Sequence, residues 1–361
     1  ARGKDEQCVA MRSEYHEKHG RVRSDEPDEG EAMISDCSVR SLPDRPLRPD
    51  GATVECIGHP GDSPHGAEAP GGKVRKEIIR IEGLVKKYRD KVAVDGLDLT
   101  VYEGEIFGFL GPNGAGKTTT VRVMSTLAEF SSGVVRICGH DIRKNPQQAK
   151  ACMGVIQQQI SLDKDLTVRE NMIQHAMFHK IPPAERRKRI EVLADYLGLT
   201  GYMDHMIDTL SGGWKKRTSI VCAMIHEPKI LFLDEPTAGL DIQARRLLWD
   251  IIRKLNGDGT TIFLTTHYIE EAEALCDRVG IINHGRMIAI GTPEELYSKV
   301  GKITVEYQED GVKTQYRHFP GRKDAHDFIA TLPEGTTVTI RKANLEDCFV
   351  ELTGETVGGA R

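Results

Sequence analysis

The sequence predicts an α/β fold: a mainly parallel sheet covered by helices, with antiparallel strands at its edge, a helical insertion and a small C-terminal α+β unit. Three observations predict it. Over residues 75–298 short apolar runs alternate with amphipathic segments, the pattern of strand–helix units. Between residues 166 and 210 that alternation stops and only helical spacing remains. From residue 299 onward the pattern becomes hairpin, helix, strand, helix.

Residues 1–74 are expected to form a disordered extension, or to be sequence upstream of the domain start, since Ala1 stands where a methionine would. "SDEPDEGEAMISDCSVRSLPDRPLRPDG" and "HPGDSPHGAEAPGGK" are rich in proline, glycine and charge. Such stretches bury too little apolar surface to offset chain entropy. Order begins near "EIIRIEGLVKKY", where Ile78, Ile79 and Ile81 make a strand. "LDLTVYEGEIFGFLGPNG" adds more strand and turns into a helix; "GVVRICG", "KACMGVIQ", "KILFLDEP", "TTIFLTTH" and "VGIINHG" continue the alternation. "TVRENMIQHAMFHK" and "PPAERRKRIEVLADYLGL" are the helices of the insertion, which spans about residues 160–212 of a domain covering 75–298. In the last domain, 299–361, "KITVEYQEDGVKTQYRHF" is a hairpin with Gly311 in its turn. "KDAHDFIATL" is a helix, "TTVTIRKA" a strand, and "NLEDCFVELTG" a helix ended by Gly354.

Composition narrows the function classes. With 361 residues, 39% hydrophobic and 29% charged, the chain has room for two domains of ordinary size. A formal charge of -5 gives no general pull toward nucleic acid or anionic lipid, so no nucleic-acid partner is expected. Cys8, Cys37, Cys56, Cys138, Cys152, Cys222, Cys276 and Cys348 form no C-x-x-C pair, which fits reduced thiols in the cytosol better than a zinc site or disulfide framework. No apolar run reaches the length of about 18 residues that a membrane span needs, and the N-terminus has no signal-type apolar segment.

Four stretches carry chemistry. "GPNGAGKTT", residues 111–119, follows the apolar "EIFGFL" and precedes a helix, the setting a phosphate-binding loop requires. Gly111, Gly114 and Gly116 let the loop wrap an anion with its N–H groups inward, with Pro112, Asn113, Ala115 and Thr119 completing it. Lys117 supplies charge to the β- and γ-phosphates of ATP, and the Thr118 hydroxyl is a ligand for Mg²⁺. In "ILFLDEPTAGLD" an apolar strand delivers Asp234 to its carboxyl end, where it would meet Mg²⁺, while Glu235 is placed as a general base; capping of the next loop is the plainer alternative. His267 ends another apolar strand and is either a local hydrogen-bonding group or a contact to the γ-phosphate. "LSGGWKKR", residues 210–217, opens a helix with Ser211, Gly212 and Gly213. A serine cap is its ordinary reading, but paired glycines before basic residues suit a second anion.

Together these residues resemble the nucleotide-binding subunit of an ATP-binding cassette transporter, over about residues 78–296. "GPNGAGKTT" is similar to its Walker A motif, "ILFLDEP" to Walker B, "LSGGWKKR" to the signature motif, and "AGLD", with Asp241, to the D-loop. His267 resembles the switch histidine. Gln158, inside the run Gln157, Gln158, Gln159, falls where the family's Q-loop glutamine assists catalysis and the metal. Tyr88 matches the aromatic that stacks on adenine, though such a residue is also ordinary packing. The resemblance implies a P-loop NTPase cassette that hydrolyses ATP as a homodimer. The signature motif of one chain would close over ATP held by the other, with Ser211 and Gly213 on the γ-phosphate and Asp241 at the seam. The "GVIQQQISLDKDLTVREN" and "ANLEDCFVELTG" stretches resemble drug-exporter cassettes of the daunorubicin-resistance type. That implies a separate membrane permease, a place on the cytoplasmic face of the membrane, and a docking groove to which Met172, Met177 and Phe178 would contribute unless they face the subunit's own core. Trp214 departs from the usual glutamine of the signature.

Two other classes compete. A soluble cassette acting on ribosomes, DNA ends or iron–sulfur assembly would usually carry two motif sets or a long coiled coil between its halves. Here one set occurs, without sustained heptads between its two anion sites. A regulator that binds nucleotide without turnover would not need both Glu235 and His267.

Overall fold

The computed structural model describes residues 75–89, 91–308, 314–333 and 335–353. The expected extension over residues 1–74, the hairpin glycine Gly311 and the helix-ending Gly354 lie outside the described residues.

Three sheets organise the described chain. Strands β1 (Glu77–Tyr88), β2 (Lys91–Tyr102), β4 (Ser132–Ile137) and β5 (His140–Asp141) form an antiparallel sheet in the order β2-β1-β4-β5. The central sheet has six strands, β10-β9-β3-β8-β7-β6. Of these, β3 (Ile106–Leu110), β6 (Met153–Ile156), β7 (Ile230–Asp234), β8 (Thr261–Thr266) and β9 (Arg278–Asn283) are parallel, and only β10 (Arg286–Gly291) runs against its neighbour. The antiparallel strands thus make a sheet of their own as well as one edge of the parallel sheet. "GVVRICG", one of the strands of the expected alternation, belongs to the former as β4.

The parallel strands read as unbroken apolar runs because both their faces are buried. Alternate residues go to different cores. Phe107, Phe109, Phe232 and Phe263 point to the side of the antiparallel sheet. Leu110, Leu231, Leu233 and Leu264 face a second core shared with the helical insertion. Phe107 and Phe263 stack with ring centroids 5.6 Å apart, and Phe232 meets Phe263 at the same spacing.

The helices follow from caps and stripes. Helix α1 (Lys117–Met124) starts at the phosphate-type loop, and α2 (Pro146–Ala151) precedes β6. In the insertion, α3 (Val168–Phe178) opens with a capping box between Thr167 and Glu170, and α4 (Pro183–Tyr196) begins on proline. Two short 3₁₀ turns, Thr200–Tyr202 and Ile207–Thr209, lead to α5 (Gly212–Met224). Helix α6 (Ile242–Gly257) has the strongest apolar stripe, burying Leu248, Ile252 and Leu255. Helices α7 (Ile269–Leu275) and α8 (Pro293–Ser298) follow β8 and β10.

The C-terminal part holds a three-stranded antiparallel sheet, β12 (Gln315–Phe319), β11 (Ile303–Gln308) and β13 (Thr337–Lys342), with β11 central. Helix α9 (Arg322–Ile329) packs on β11 and β12. Helix α10 (Leu345–Thr353) instead turns back to α7 and α8, and its Leu345, Cys348 and Phe349 are buried in the main core.

Candidate functional site

Parallel pairing sets the position of the site. Leu110 pairs with Thr266, Asp234 with Thr265, and Ile156 with Leu233, so β3, β8, β7 and β6 end along one edge of the sheet. The segments beginning at residues 111, 157, 235 and 267 therefore leave that edge together. Ligands of open parallel sheets bind outside this carboxyl edge.

The loop of residues 111–116 is shaped by its glycines. A Cβ on Gly111 would stand 2.4 Å from the Ile282 carbonyl oxygen. Gly116 has φ 111° and a Cβ there would reach within 2.6 Å of the Ala93 oxygen. No side chain fits either position, so the loop lies directly on β9 and β2. The Gly285 N–H donates to the Ala115 oxygen at 2.9 Å and props the loop from the next strand connection. Gly116 is also the N-cap of α1, whose first amides have no partner inside the helix. Lys117 is buried and arches back over the loop, donating to the Gly111 and Pro112 oxygens at 2.8 and 3.1 Å.

Asp234 and Glu235 stand opposite. Asp234 Oδ1 accepts from Thr265 Oγ1 at 2.5 Å and from Thr118 Oγ1 at 3.2 Å. It is therefore held between two strands and α1 and does not cap the following loop. Burial raises its carboxyl above the usual carboxylate range, against the Thr265 and Thr118 hydrogen bonds that lower it. Burial likewise lowers the Lys117 ammonium, and Glu235 and Asp234 oppose that shift.

Glu235 gathers the rest. Its Oε2 accepts from Gln158 Nε2 at 3.0 Å, and its Oε1 lies 3.5 Å from Lys117 Nζ. His267 Nδ1 is 3.2 Å from the same Oε1 but off the line a hydrogen bond needs, so the two atoms approach without a formed bond. The Glu235 backbone takes φ 47°, a left-handed conformation that costs a non-glycine residue about 1–3 kcal/mol and clusters at functional sites. Its N–H is pinned to both the carbonyl and the hydroxyl of Thr265 at 3.1 Å. Of the three consecutive glutamines, Gln158 is the one whose side chain bonds Glu235.

A divalent cation fits this chemistry. Thr118 and Asp234 bring hard oxygen donors within hydrogen-bond distance of each other, with the Gln158 amide beside Glu235. Among the described residues no cluster of three or more His, Cys, Asp or Glu could enclose a metal. Mg²⁺ suits such a place, being bound through one or two protein oxygens together with substrate phosphates.

The second anion-type stretch does not join this cluster. Ser211 is exposed at the N-cap of α5, and its side chain makes no capping bond. Gly212 and Gly213 lie against Leu240 and Ala244, next to Asp241, which caps α6 through the Ala244 N–H at 2.8 Å. Trp214 is packed inside its own chain, tilted over Tyr202 at 4.0 Å and covered by Arg217 at 4.4 Å. Tyr88 is 44% exposed at the end of β1, with Lys86 Nζ 4.3 Å from its ring centre, and is not core packing. Met172 is core, whereas Met177 and Phe178 are 41% and 52% exposed at the end of α3.

Several residues of this neighbourhood were not singled out as site residues by the sequence. Thr265 positions both acids. Glu271 is fully buried on α7 and accepts from Trp249 Nε1 at 3.1 Å. Lys216 is buried on α5, with its Nζ 3.2 Å from the Gln158 carbonyl oxygen. The one available signal was helical spacing: Glu271 shares a helix face with Leu275.

With this geometry in view, comparison with known proteins is specific. Residues 94–238 match the family model described as "ABC transporter". The Nod factor export ATP-binding protein I of Ralstonia nicotianae is 38% identical over 301 residues, covering 77% of this chain and 94% of the relative. The daunorubicin/doxorubicin resistance ATP-binding protein DrrA of Streptomyces peucetius is 44% identical over 223 residues, covering 62% of this chain and 68% of the relative. Among solved structures, the dimeric post-hydrolysis state of the ATP-binding cassette MJ0796 bound to ADP and Pi aligns with a TM-score of 0.54 at 25% identity, over 59% of this chain and 98% of that one.

Proposed function

The chain belongs to the ATP-binding, ATP-hydrolysing subunits of ABC transporters, and on that premise we propose that two copies close head to tail over two ATPs to drive a separate membrane permease. Residues 111–119 wrap the triphosphate, with Lys117 turning from the loop carbonyls to the β- and γ-phosphates. Tyr88 stacks on the adenine. Thr118, Asp234 and Gln158 would hold Mg²⁺, which would neutralise charge on the phosphate oxygens. Glu235 takes a proton from the water that attacks the γ-phosphorus as the bond to the β-phosphate oxygen breaks. His267 steadies the γ-phosphate from the next strand end. Ser211, Gly212 and Gly213 close on that phosphate from the other chain, and Asp241 sits at the seam. Loss of the γ-phosphate removes the bridge between the halves, so the pair opens.

One observation carries this reading: Lys117, Gln158 and His267, from three separate segments, all approach the carboxylate of Glu235. Dimer closure is supported by the exposure of Ser211 and by the dimeric, ADP-bound relative. Export of a drug-like or lipid substrate is supported by the relatives named for Nod factor export and daunorubicin resistance. The permease would meet Met177 and Phe178 and hold the subunit at the cytoplasmic membrane face; among the described residues no helix is long and apolar enough to cross a membrane.

The test is Glu235→Gln. Hydrolysis should fall by at least about 100-fold, the scale of general-base loss, while ATP still binds and sedimentation shows an ATP-dependent dimer. Turnover near the wild-type rate would remove Glu235 from the role.

A further inference from the structure

We infer that Lys216 is a positioning residue for ATP hydrolysis: it holds Gln158 beside Glu235 and thereby ties each chain's signature helix to that chain's own base. The inference rests on the hydrolytic site proposed above and adds a link inside one subunit.

Lys216 lies just past the first turn of α5, five residues after Ser211. In the stretch "WKKR" a lysine would be expected to face solvent or an anion. Lys216 is only 5% exposed and turns inward, donating from Nζ to the Gln158 carbonyl oxygen at 3.2 Å. The side chain of the same glutamine donates to Glu235 Oε2 at 3.0 Å. Gln158 is thus gripped through its backbone by the signature helix while its amide touches the candidate base. The path from Ser211 to Glu235 consists of one helix turn and two hydrogen bonds.

Packing alone does not explain the lysine. Its side chain, only 5% exposed, ends on the Gln158 carbonyl oxygen, a neutral acceptor that leaves the ammonium without a carboxylate partner at hydrogen-bond distance among the described residues. A methionine would fill the space without desolvating a charge, and exchanging buried charges for apolar residues of like volume is often neutral or stabilising. A cavity of about 440 Å³ borders Gln158, Lys216, Gly212, Gly239 and Leu240. On that side the Gln158 segment has open volume beside it, and the lysine bond supplies a restraint that tight packing does not. An ordered Gln158 is what keeps Glu235 aimed at an attacking water, so the lysine should act on turnover rather than on nucleotide capture.

The experiment is steady-state ATP hydrolysis by the full chain with Lys216→Met and Lys216→Arg, alongside thermal melting. Lys216→Met is expected to lower kcat about tenfold, the scale of misplacing a catalytic group by under an ångström. KM for ATP should stay within about twofold, because the residues proposed to bind the phosphates are untouched. The melting temperature should not fall, and Lys216→Arg, which still donates to the carbonyl, should recover at least half of the lost rate. An unchanged kcat in Lys216→Met overturns the inference. So does a rate loss that tracks a lower melting temperature and is not recovered by arginine, since that marks a merely structural lysine. Should the methionine variant fail to fold, Lys216→Gln, with a shorter and uncharged donor, is read in its place and should show the same kcat loss; a normal kcat overturns the inference. Because Glu235→Gln establishes the hydrolytic site separately, a normal Lys216→Met rate counts against the lysine alone.

Discussion

Glu235 shows how far single residues could be read in advance. Its place after an apolar strand made it a candidate base, and its partners Lys117, Gln158 and His267 were each in view as motif residues. Their meeting on one carboxylate comes from the parallel pairing of β3, β8, β7 and β6, whose ends lie along one edge, and Glu235 itself is aimed by a left-handed backbone. Glu271 went unread because a charged residue on a helix looks solvated until its neighbours are known, and Lys216 was read with its basic neighbours as facing an anion when it is buried. Histidines make the same point. His226 packs flat against His179 at 3.7 Å, and burial pushes its imidazole down to about 4 from an ordinary 6.5. The native chain keeps it neutral while the unfolded chain protonates below 6.5, so stability is lost as pH falls from 6.5 toward 4. This group should contribute a slope of roughly 1.4 kcal/mol per pH unit in that window. Urea titrations at pH 7 and pH 5 should show His226→Gln to be less acid-sensitive than wild type; an unchanged difference would contradict the buried neutral imidazole.

At the scale of elements, periodicity located the strands and helices but not their partners. "GVVRICG" and "KILFLDEP" look alike as apolar runs, yet one became β4 of an antiparallel sheet and the other β7, an interior strand of the parallel one. Residues 303–353 hold two antiparallel strands, a helix, a strand and a helix in the expected order. The last helix nevertheless packs on α7 and α8, where the Leu345 N–H donates to Glu273 Oε1 at 2.6 Å. Phe349→Ala should therefore destabilise the main core by about 3–5 kcal/mol, as for any large buried aromatic truncated without room to collapse. Chemical denaturation would measure it, and a change under 1 kcal/mol would show that α10 is not part of that core.

For the whole molecule, the exposed Ser211 and the buried Lys117 pose one question: whether a single chain supplies both to one nucleotide. The proposed head-to-tail closure is tested by mixing. Lys117→Ala and Ser211→Ala chains should each lose most turnover when alone. Mixed, about half the pairs are hybrids, and each hybrid has one site with both its lysine and its serine intact, so about a quarter of wild-type activity should return. No recovery would mean that the serine serves its own chain's phosphate loop, and the sandwich reading would fail.

By itself the sequence determined the alternating architecture, the glycine loop before α1, and the identity of the acids and the histidine at strand ends. Those follow from local rules: side-chain periodicity, glycine where φ turns positive, apolar runs that only burial on both faces explains. Tertiary structure alone decided which antiparallel strands form a separate sheet, which of three glutamines touches Glu235, that Met172 is core while Met177 and Phe178 are exposed, and that Lys216 and Glu271 are buried. Each of these depends on contacts between segments tens of residues apart, and a side chain's pattern along the chain carries no record of what lies across the space it faces.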